Sequence, residues 1–348
     1  MIIGNPPYVP TKDIAYHLLG FTTIPCGDIY ALCVERALES IICKHGRFSM
    51  IIPISSISTA GYEPLRKVYE RSNRSFFSVN FAERPAKLFE GVDKRLSIVT
   101  ASSKLDGFCI HNTKYRRWLD EERSHLMNSI HYQVVNPALF AIGGYAKIDS
   151  QSEVSILDKL SSSGSLLQHF LVPKGFPVRF TRKLRYFIQF YVQPPAKYDS
   201  QGRSVPPSEL KQMDLANENE RDAVIGLLSS SLFFWFFTAF SDCRNVNRRE
   251  INQFPIGLNH VDQDVISDLA HLTSRLLEDL KANAVFQIRN DGRAGLQRLE
   301  SFRPRQSKSI MDQIDHSLAR HYGFSDEEVD FIVNHDFKYR MGVDDHSD

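Results

Sequence analysis

The sequence predicts an α/β protein: part of an open sheet with its helices first, an α+β region next, and helices at the carboxyl end. Three observations carry this. Over residues 1–105, apolar runs of strand length alternate with segments of helical period. After Ser102 the composition shifts, and residues 161–206 become basic and rich in aromatics. Beyond residue 219 the apolar residues return at helical spacing. The chain therefore divides into residues 1–105, a connecting region 106–160, a second folded region 161–260 and a helical region 261–348.

In chain order, Met1-Ile2-Ile3-Gly4 reads as the end of a buried strand. Pro6 and Pro7 force the chain out of it into an extended loop. Residues 11–26 are a loop of mixed character. Gly27-Asp28 opens a helix with Tyr30, Val34, Ala37, Leu38 and Ile41 on one face, and His45-Gly46 ends it. Phe48 to Pro53 is a buried strand stopped by its proline. Tyr62 to Arg71 is a helix with Leu65, Val68 and Tyr69 inward. Ser75 to Phe81 and Leu96 to Ala101 are strands, close enough in sequence to form an antiparallel hairpin at the sheet edge.

Gln151 to Leu160 is helical, and Ser161 to Ser165 is a turn or linker. Asn219 to Phe240 is a strongly apolar core helix. Val261 to Leu280 and Ser309 to Tyr322 are further helices, and Ser325-Asp-Glu-Glu328 starts another with a capping box.

With 348 residues the chain is long enough for two cores. A composition of 42% hydrophobic and 24% charged residues is that of a soluble protein, and a net charge of +1 means that any basic surface is local. The five cysteines (Cys26, Cys33, Cys43, Cys109, Cys243) show no Cys-x-x-Cys spacing. That speaks against a zinc site or a disulfide framework and fits a reducing compartment. The amino terminus has neither a basic n-region nor a long apolar h-region, so a cytoplasmic location is expected. The apolar run 232–240 is too short to span a bilayer as a helix.

Asn5-Pro6-Pro7-Tyr8 carries the chemistry. An amino nitrogen on a ring or carbonyl is a poor nucleophile because its lone pair is delocalised. The side-chain carbonyl of Asn5 and the backbone carbonyl of Pro6 are two acceptors that could grip one NH₂ and turn its lone pair out of conjugation. Tyr8 offers a flat face for a base, worth roughly 1–3 kcal/mol. The bland reading is an Asn-Pro turn. A given tetrapeptide occurs by chance about once in several hundred chains of this length, so the surrounding residues must decide.

Those residues are Ile3-Gly-Asn-Pro-Pro-Tyr8, Gly27-Asp-Ile-Tyr30, Gly46-Arg-Phe-Ser-Met-Ile-Ile-Pro53, Leu65-Arg66 and Leu88-Phe89-Glu-Gly-Val92. Their order and spacing resemble the catalytic half of bacterial adenine-N6 DNA methyltransferases, of the group related to Eco57I-type restriction–modification enzymes. The resemblance implies a partial Rossmann-like class I methyltransferase sheet, followed by a target-recognition domain, and site-specific methylation of a flipped adenine by S-adenosylmethionine. It implies that Asn5 and Pro6 accept hydrogen bonds from adenine N6, and that Tyr8 stacks on the base. Phe89 matches the Phe that packs on the other face, although a core residue capping the hairpin would look the same. Asp28 and Tyr30 match the segment beside the cofactor. For Asp28, capping of its own helix is an equal alternative.

The resemblance breaks at the cofactor. Relatives bind S-adenosylmethionine through a glycine-rich loop and an acidic residue that precede the Asn-Pro-Pro-Tyr motif. This chain has four residues before Asn5, no Phe-x-Gly-x-Gly, and an isolated Gly143-Gly144. The expectation is a fragment, a decayed remnant, or half of a split enzyme completed by a separate polypeptide. No nuclease centre and no metal site is evident.

Residues 161–206 hold seven Lys or Arg (Lys174, Arg179, Arg182, Lys183, Arg185, Lys197, Arg203) against one acid, Asp199, interleaved with Phe176, Phe180, Tyr186, Phe187, Phe190, Tyr191 and Tyr198. This suits a surface that tracks a nucleic-acid backbone, and equally an amphipathic β segment with a solvated basic face. Arg244, Asn245, Asn247, Arg248 and Arg249 carry donors for phosphates and base edges. Double-stranded DNA is thus the expected partner. Two alternatives stay open: methylation of another amide or amino acceptor, such as protein glutamine or RNA, and a DNA-binding specificity module without catalysis.

Overall fold

A computed structural model describes the chain except for residues 105–106, 138–141, 183–189, 208, 258–262, 293–294 and 341–348. It forms two compact units, Met1–Val154 with Thr238–Asp242, and Ser155–Phe237 with Cys243–Asp348.

The first unit holds a six-stranded mixed sheet. In chain order its elements are β1 (Ile2–Gly4), α1 (Ile29–Arg36), β2 (Phe48–Pro53), α2 (Ser55–Ser58), α3 (Glu63–Arg71), β3 (Arg74–Phe81), β4 (Leu96–Lys104), β5 (Cys109–Arg116) and β6 (Gln133–Val134). The strand order is β1-β2-β4-β3-β5-β6. Strands β1 and β2 run parallel, Ile2 opposite Phe48, and α1 provides the crossover that parallel neighbours require. Along β2 burial alternates, with Phe48, Met50 and Ile52 inward. Helix α3 buries Leu65, Val68 and Tyr69, and the Tyr69 ring lies 4.6 Å from that of Phe76 on β3.

Three expectations change here. β1, read as the end of a buried strand, is an edge strand with Ile3 69% exposed. Strands β3 and β4 do pair antiparallel, but not at an edge: β4 lies between β2 and β3, and β3 pairs parallel with β5. The helix from Asp28 becomes a π-helical turn over Ala37–Ile41, and Ile41 is 63% exposed instead of facing the core.

Strands β5 and β6, in the stretch read as mixed, extend the sheet. β5 gave no strand signal because two of its four buried positions, Asn112 and Thr113, are polar. Asn112 and Thr113 join Asn80, Ser78 and Ser97 in a fully buried network centred on Asn80, whose Nδ2 donates to Asn112 Oδ1 at 2.7 Å. Such a network is tolerated because its members satisfy one another.

Helix α4 (Gln151–Ser162) leads into the second unit. There β7 (Phe176–Thr181), β8 (Phe190–Tyr191), β9 (Lys197–Tyr198) and β10 (Leu210–Leu215) are followed by α5 (Glu218–Ser229), α6 (Ser231–Phe240, whose last three residues belong to the first unit), α7 (Arg248–Asn252) and α8 (Gln263–Ala282). Then come β11 (Val285–Asp291), β12 (Gly295–Ser301), α9 (Lys308–Tyr322), α10 (Asp326–Asn334) and α11 (Phe337–Arg340). The strands make two three-stranded sheets, β10-β7-β8 and β11-β12-β9.

The single apolar helix expected over 219–240 is two, bent by 62° at Ser230. The bend is built in: Ser230 Oγ accepts from Phe233 N, and the buried Asp315 of α9 accepts from Ser231 N and Leu232 N at the start of α6. A carboxylate there satisfies free N–H groups and complements the helix dipole. Helix α5 packs against α8 at Gly226, where a Cβ would fall 2.3 Å from Thr273 Oγ1. The capping box before α10 forms as read, Ser325 Oγ accepting from Glu328 N and Glu328 Oε2 from Ser325 N. The hairpin β11–β12 was not foreseen, because its apolar residues do not alternate cleanly.

Among the described residues no single helix is long and apolar enough to cross a membrane.

Candidate functional site

The Asn-Pro-Pro-Tyr loop leaves the carboxyl end of β1 and is held on both sides. Before it, β1 is hydrogen-bonded to β2. After it, Ile29 N donates to Val9 O at 2.9 Å and Thr11 N to Gly27 O at 2.8 Å, which fastens residues 9–11 to the start of α1. The prolines remove competing N–H groups from the loop between these anchors. Asn5 and Pro7 are exposed, Pro6 is buried and Tyr8 half-buried.

The Tyr8 hydroxyl lies 2.7 Å from Asn5 Oδ1 and 2.9 Å from the carbonyl of Ile51 on β2. Its one proton is shared between the two acceptors, which together fix the ring's position. Burial pushes the Tyr8 phenol above its ordinary range, so it stays protonated. A carbonyl oxygen has two lone pairs, and Asn5 Oδ1 keeps capacity for a second donor. Among the described residues no hydrogen bond takes the Pro6 carbonyl.

Behind Tyr8 stands an aromatic row that the sequence did not announce. Tyr8 meets Tyr30 edge-on, with centroids 6.1 Å apart, and Tyr30 stacks on Tyr62 at 5.5 Å. Tyr30 is buried, and its hydroxyl pairs with Ser55 Oγ at 3.1 Å. The Tyr62 hydroxyl donates to the Asp28 carboxylate. Burial raises the phenols of Tyr30 and Tyr62, and both remain protonated. Asp28 occupies the N-cap position of α1 with extended backbone, yet its side chain makes no capping bond. Of the alternatives weighed for it from the sequence, capping of its own helix is not what this carboxylate does. Tyr62, Ser55 and the Ile51 carbonyl are the members that sequence reasoning missed; only Tyr62, an aromatic just before a helix, left a trace.

The segment around Ser55 is braced from below. The buried Arg66 guanidinium donates to Thr59 O at 2.9 Å, and Tyr145 N donates to Ile57 O at 2.9 Å. Gly144, with φ +154°, lets that second strand of chain approach: a Cβ there would meet Ser58 O at 3.0 Å and Ile57 O at 3.1 Å. Gly143-Gly144 thus has a packing role. On the other flank, Glu35 Oε1 and Oε2 accept from the backbone and hydroxyls of Thr22 and Thr23. Burial alone would raise the Glu35 carboxyl, but these bonds outweigh it and hold it below the usual range.

Phe89 sits in the loop between β3 and β4 and is 38% exposed. Its neighbour Leu88 is the residue that packs inward, against the cluster of Val79, Phe81, Ala86, Trp118 and Leu126. Phe89 makes no ring contact with the Tyr8 row among the described residues.

For S-adenosylmethionine the donor set is poor. Tyr30 is buried with its hydroxyl on Ser55, and one oxygen of the Asp28 carboxylate accepts from Tyr62. Among the described residues no group of three or more His, Cys, Asp or Glu could hold a metal ion.

The basic candidates in the second unit separate by what engages them. Arg179 on β7 donates to the carbonyl of Val192. Arg182 donates to Asn247 Oδ1 at 3.1 Å, and Asn247 Nδ2 to Asn245 O at 3.2 Å. Arg249 pairs with the buried Glu250 at 2.6 Å. Arg244 and Arg248 are exposed, Arg248 reaching Gln212 O at 2.7 Å. Lys183 and Arg185 lie outside the described residues. The structure thus ties Arg182, Asn245 and Asn247 into one loop platform carrying Arg244 and Arg248, and turns Arg249 inward.

Residues 1–85 match the family model of the Eco57I restriction-modification methylases. Among solved structures, the chain aligns over 95% of its length with 55% of the Type IIL restriction-modification enzyme MmeI in complex with DNA, at 11% identity and a TM-score of 0.49. It aligns over 39% of its length with 17% of the chain in the DrdV–DNA complex, at 13% identity and a TM-score of 0.32. The coverage is the same for a nuclease-deletion mutant of the Type ISP restriction-modification enzyme LlaGI in complex with a DNA substrate mimic, at 17% identity and a TM-score of 0.30. The chain thus spans little more than half of the longest-matching of these structures, and less than a fifth of the other two. No curated protein matches it.

Proposed function

We propose that this chain is the acceptor-binding part of a site-specific DNA methyltransferase that methylates adenine at N6, within a restriction–modification or related defence system. One observation carries the reading: an exposed Asn5 carbonyl, at the end of β1 beside a buried proline, is held in place by the Tyr8 hydroxyl and retains an acceptor site. The match of residues 1–85 to restriction-modification methylases supports it.

In this reading the target adenine is flipped out of the duplex, at a cost of a few kcal/mol. Its N6 hydrogens go to Asn5 Oδ1 and the Pro6 carbonyl. Both acceptors are fixed before the base arrives, so they favour the geometry in which the nitrogen lone pair leaves conjugation. Tyr8 lies against the base, and Phe89 closes its other face. S-adenosylmethionine supplies the methyl group. We place its binding residues outside the side chains described above, on a separate segment or polypeptide. Arg244 and Arg248, on the loop platform of Arg182, Asn245 and Asn247, contact the duplex, and Arg179, Lys183 and Arg185 remain candidates by their charge. Arg249 is a support for that loop.

The test is N6-methyladenine in DNA from cells carrying the native locus, with wild-type sequence and with Asn5→Ala. Asn5→Ala is expected to lower the mark to background. Retention of the mark at the wild-type level would refute the reading, and methylation of protein glutamine or RNA instead would replace the acceptor.

A further inference from the structure

The hairpin β11–β12 stands apart from every element used so far. Seven residues of each strand pair in register, from Val285 opposite Ser301 to Asp291 opposite Gly295. Strand β9 adds only Lys197 and Tyr198, alongside Leu299 and Arg298. Among the described residues the outer part, from Arg289 opposite Gln297 onward, is a two-stranded ribbon without a third strand. A ribbon of seven residue pairs is about 23 Å long.

Its surface is unusual for a soluble ribbon. Ile288 is 74% exposed and Leu296 56%, and both lie on the face that carries Phe286 and Arg298. The Arg298 guanidinium sits 4.1 Å from the centroid of the Phe286 ring, and Tyr198 flanks that ring at 6.3 Å. A guanidinium stacked this way has its N–H groups directed outward in its own plane. Arg289 is exposed on the opposite face. The acid on the apolar face, Glu300, is buried: it pairs with Lys281 Nζ at 2.6 Å and accepts from Ala196 N at 2.8 Å. The exposed described charges of the ribbon, Arg289 and Arg298, are positive.

We propose that β11–β12 is a DNA-contacting arm, separate from the 243–249 loop, that lies in a groove of the duplex with Arg298 and Arg289 on phosphates and Ile288 and Leu296 against sugars or base edges. A two-stranded ribbon fits a major groove about 12 Å wide, and apolar side chains flanked by cations also suit a widened minor groove. Charge complementarity selects the duplex over a second protein: among the described residues the exposed charges beside this apolar surface are cations, which meet a polyanion favourably. This arm rests on the reading that the chain binds DNA.

The experiment is duplex binding by the full chain, followed by anisotropy across a salt series. The variants are Arg289→Gln with Arg298→Gln, and Ile288→Ser, each at an exposed position and checked for an unchanged urea midpoint. The double arginine variant is expected to bind roughly 5- to 20-fold more weakly on unrelated sequences alike, with the salt slope reduced by about 1 to 2. Ile288→Ser is expected to weaken binding severalfold with the slope unchanged. If wild-type chain binds duplex and the variants match it in affinity and slope, the arm is refuted and the DNA reading stands. Wild-type chain that binds no duplex overturns both. Unchanged duplex affinity with altered self-association would assign the face to a second copy and also overturn the arm.

Discussion

The Tyr8 hydroxyl lies 2.7 Å from Asn5 Oδ1, so two residues of one tetrapeptide hold each other. With the Ile51 carbonyl as its second acceptor, the phenol ties the loop to β2. Tyr8 therefore has two separable contributions: a ring face for a base, and a hydroxyl that sets the Asn5 amide. Tyr8→Phe keeps the face and loses the tether. N6-methyladenine formation by the complete enzyme is expected to fall about 2- to 10-fold, the worth of one hydrogen bond. Tyr8→Ala is expected to cost roughly 1–3 kcal/mol more, as the stacking surface goes too. Initial rates on one duplex measure both; equal rates for Tyr8→Phe and Tyr8→Ala would show that the ring is not a stacking surface.

Asp28 stands where a cap should be but bonds to Tyr62. An ordinary cap tolerates Ser with little loss. Asp28→Ser is expected to destabilise the chain by about 1–2 kcal/mol, because the shorter side chain no longer receives the half-buried Tyr62 hydroxyl. Urea denaturation reports this, and Tyr62→Phe should add little on top of it. Additive losses would mean that the two residues act independently.

Gly144 approaches the carbonyls of Ile57 and Ser58 with a backbone that L side chains rarely adopt. Gly144→Ala is expected to lower stability by about 1–3 kcal/mol and to loosen the Ser55–Ser58 turn that supports Tyr30. Thermal unfolding and amide exchange at Tyr145 and Ser58 are the readouts. Gly61→Ala, where a Cβ meets nothing within 4 Å, is the control.

Glu35 has its folded-state carboxyl held low, against burial, by Thr23 and Thr22. The unfolded chain therefore binds a proton more readily than the folded one. The stabilisation is fully present above the ordinary glutamate range, near pH 4.3, and is lost as the pH falls through the depressed folded value. Glu35→Gln is expected to cost about 1–3 kcal/mol at pH 7 and to flatten stability against pH in that acid window. Urea midpoints from pH 3 to 7 test it; parallel curves for both proteins would rule out the linkage.

Much of the first unit was legible because its signals are local. The run Phe48–Pro53 is apolar and ends in proline, and Leu65, Val68 and Tyr69 recur at helical spacing. Each forms the element read. The motif's loop at a strand's carboxyl end was legible for the same reason. What failed was non-local. Strand β5 was hidden because Asn112 and Thr113 are buried polar groups whose partners, Asn80 and Ser97, lie far away in sequence. The bend at Ser230 was hidden because its cap, Asp315, comes from another helix. The ion pair of Arg249 was hidden because a sequence does not show that Glu250 is buried beside it.

The sequence by itself determined the tetrapeptide, its strand and the order of the pieces around it, since proline geometry and hydrophobic period act within a few residues. Only the tertiary structure decided that β4 inserts between β2 and β3, that Asp28 serves Tyr62 and not its helix, and that Leu88 turns inward while Phe89 stays out. Those outcomes depend on which distant groups share a desolvated neighbourhood. There, each polar atom must find its partner or forfeit a hydrogen bond.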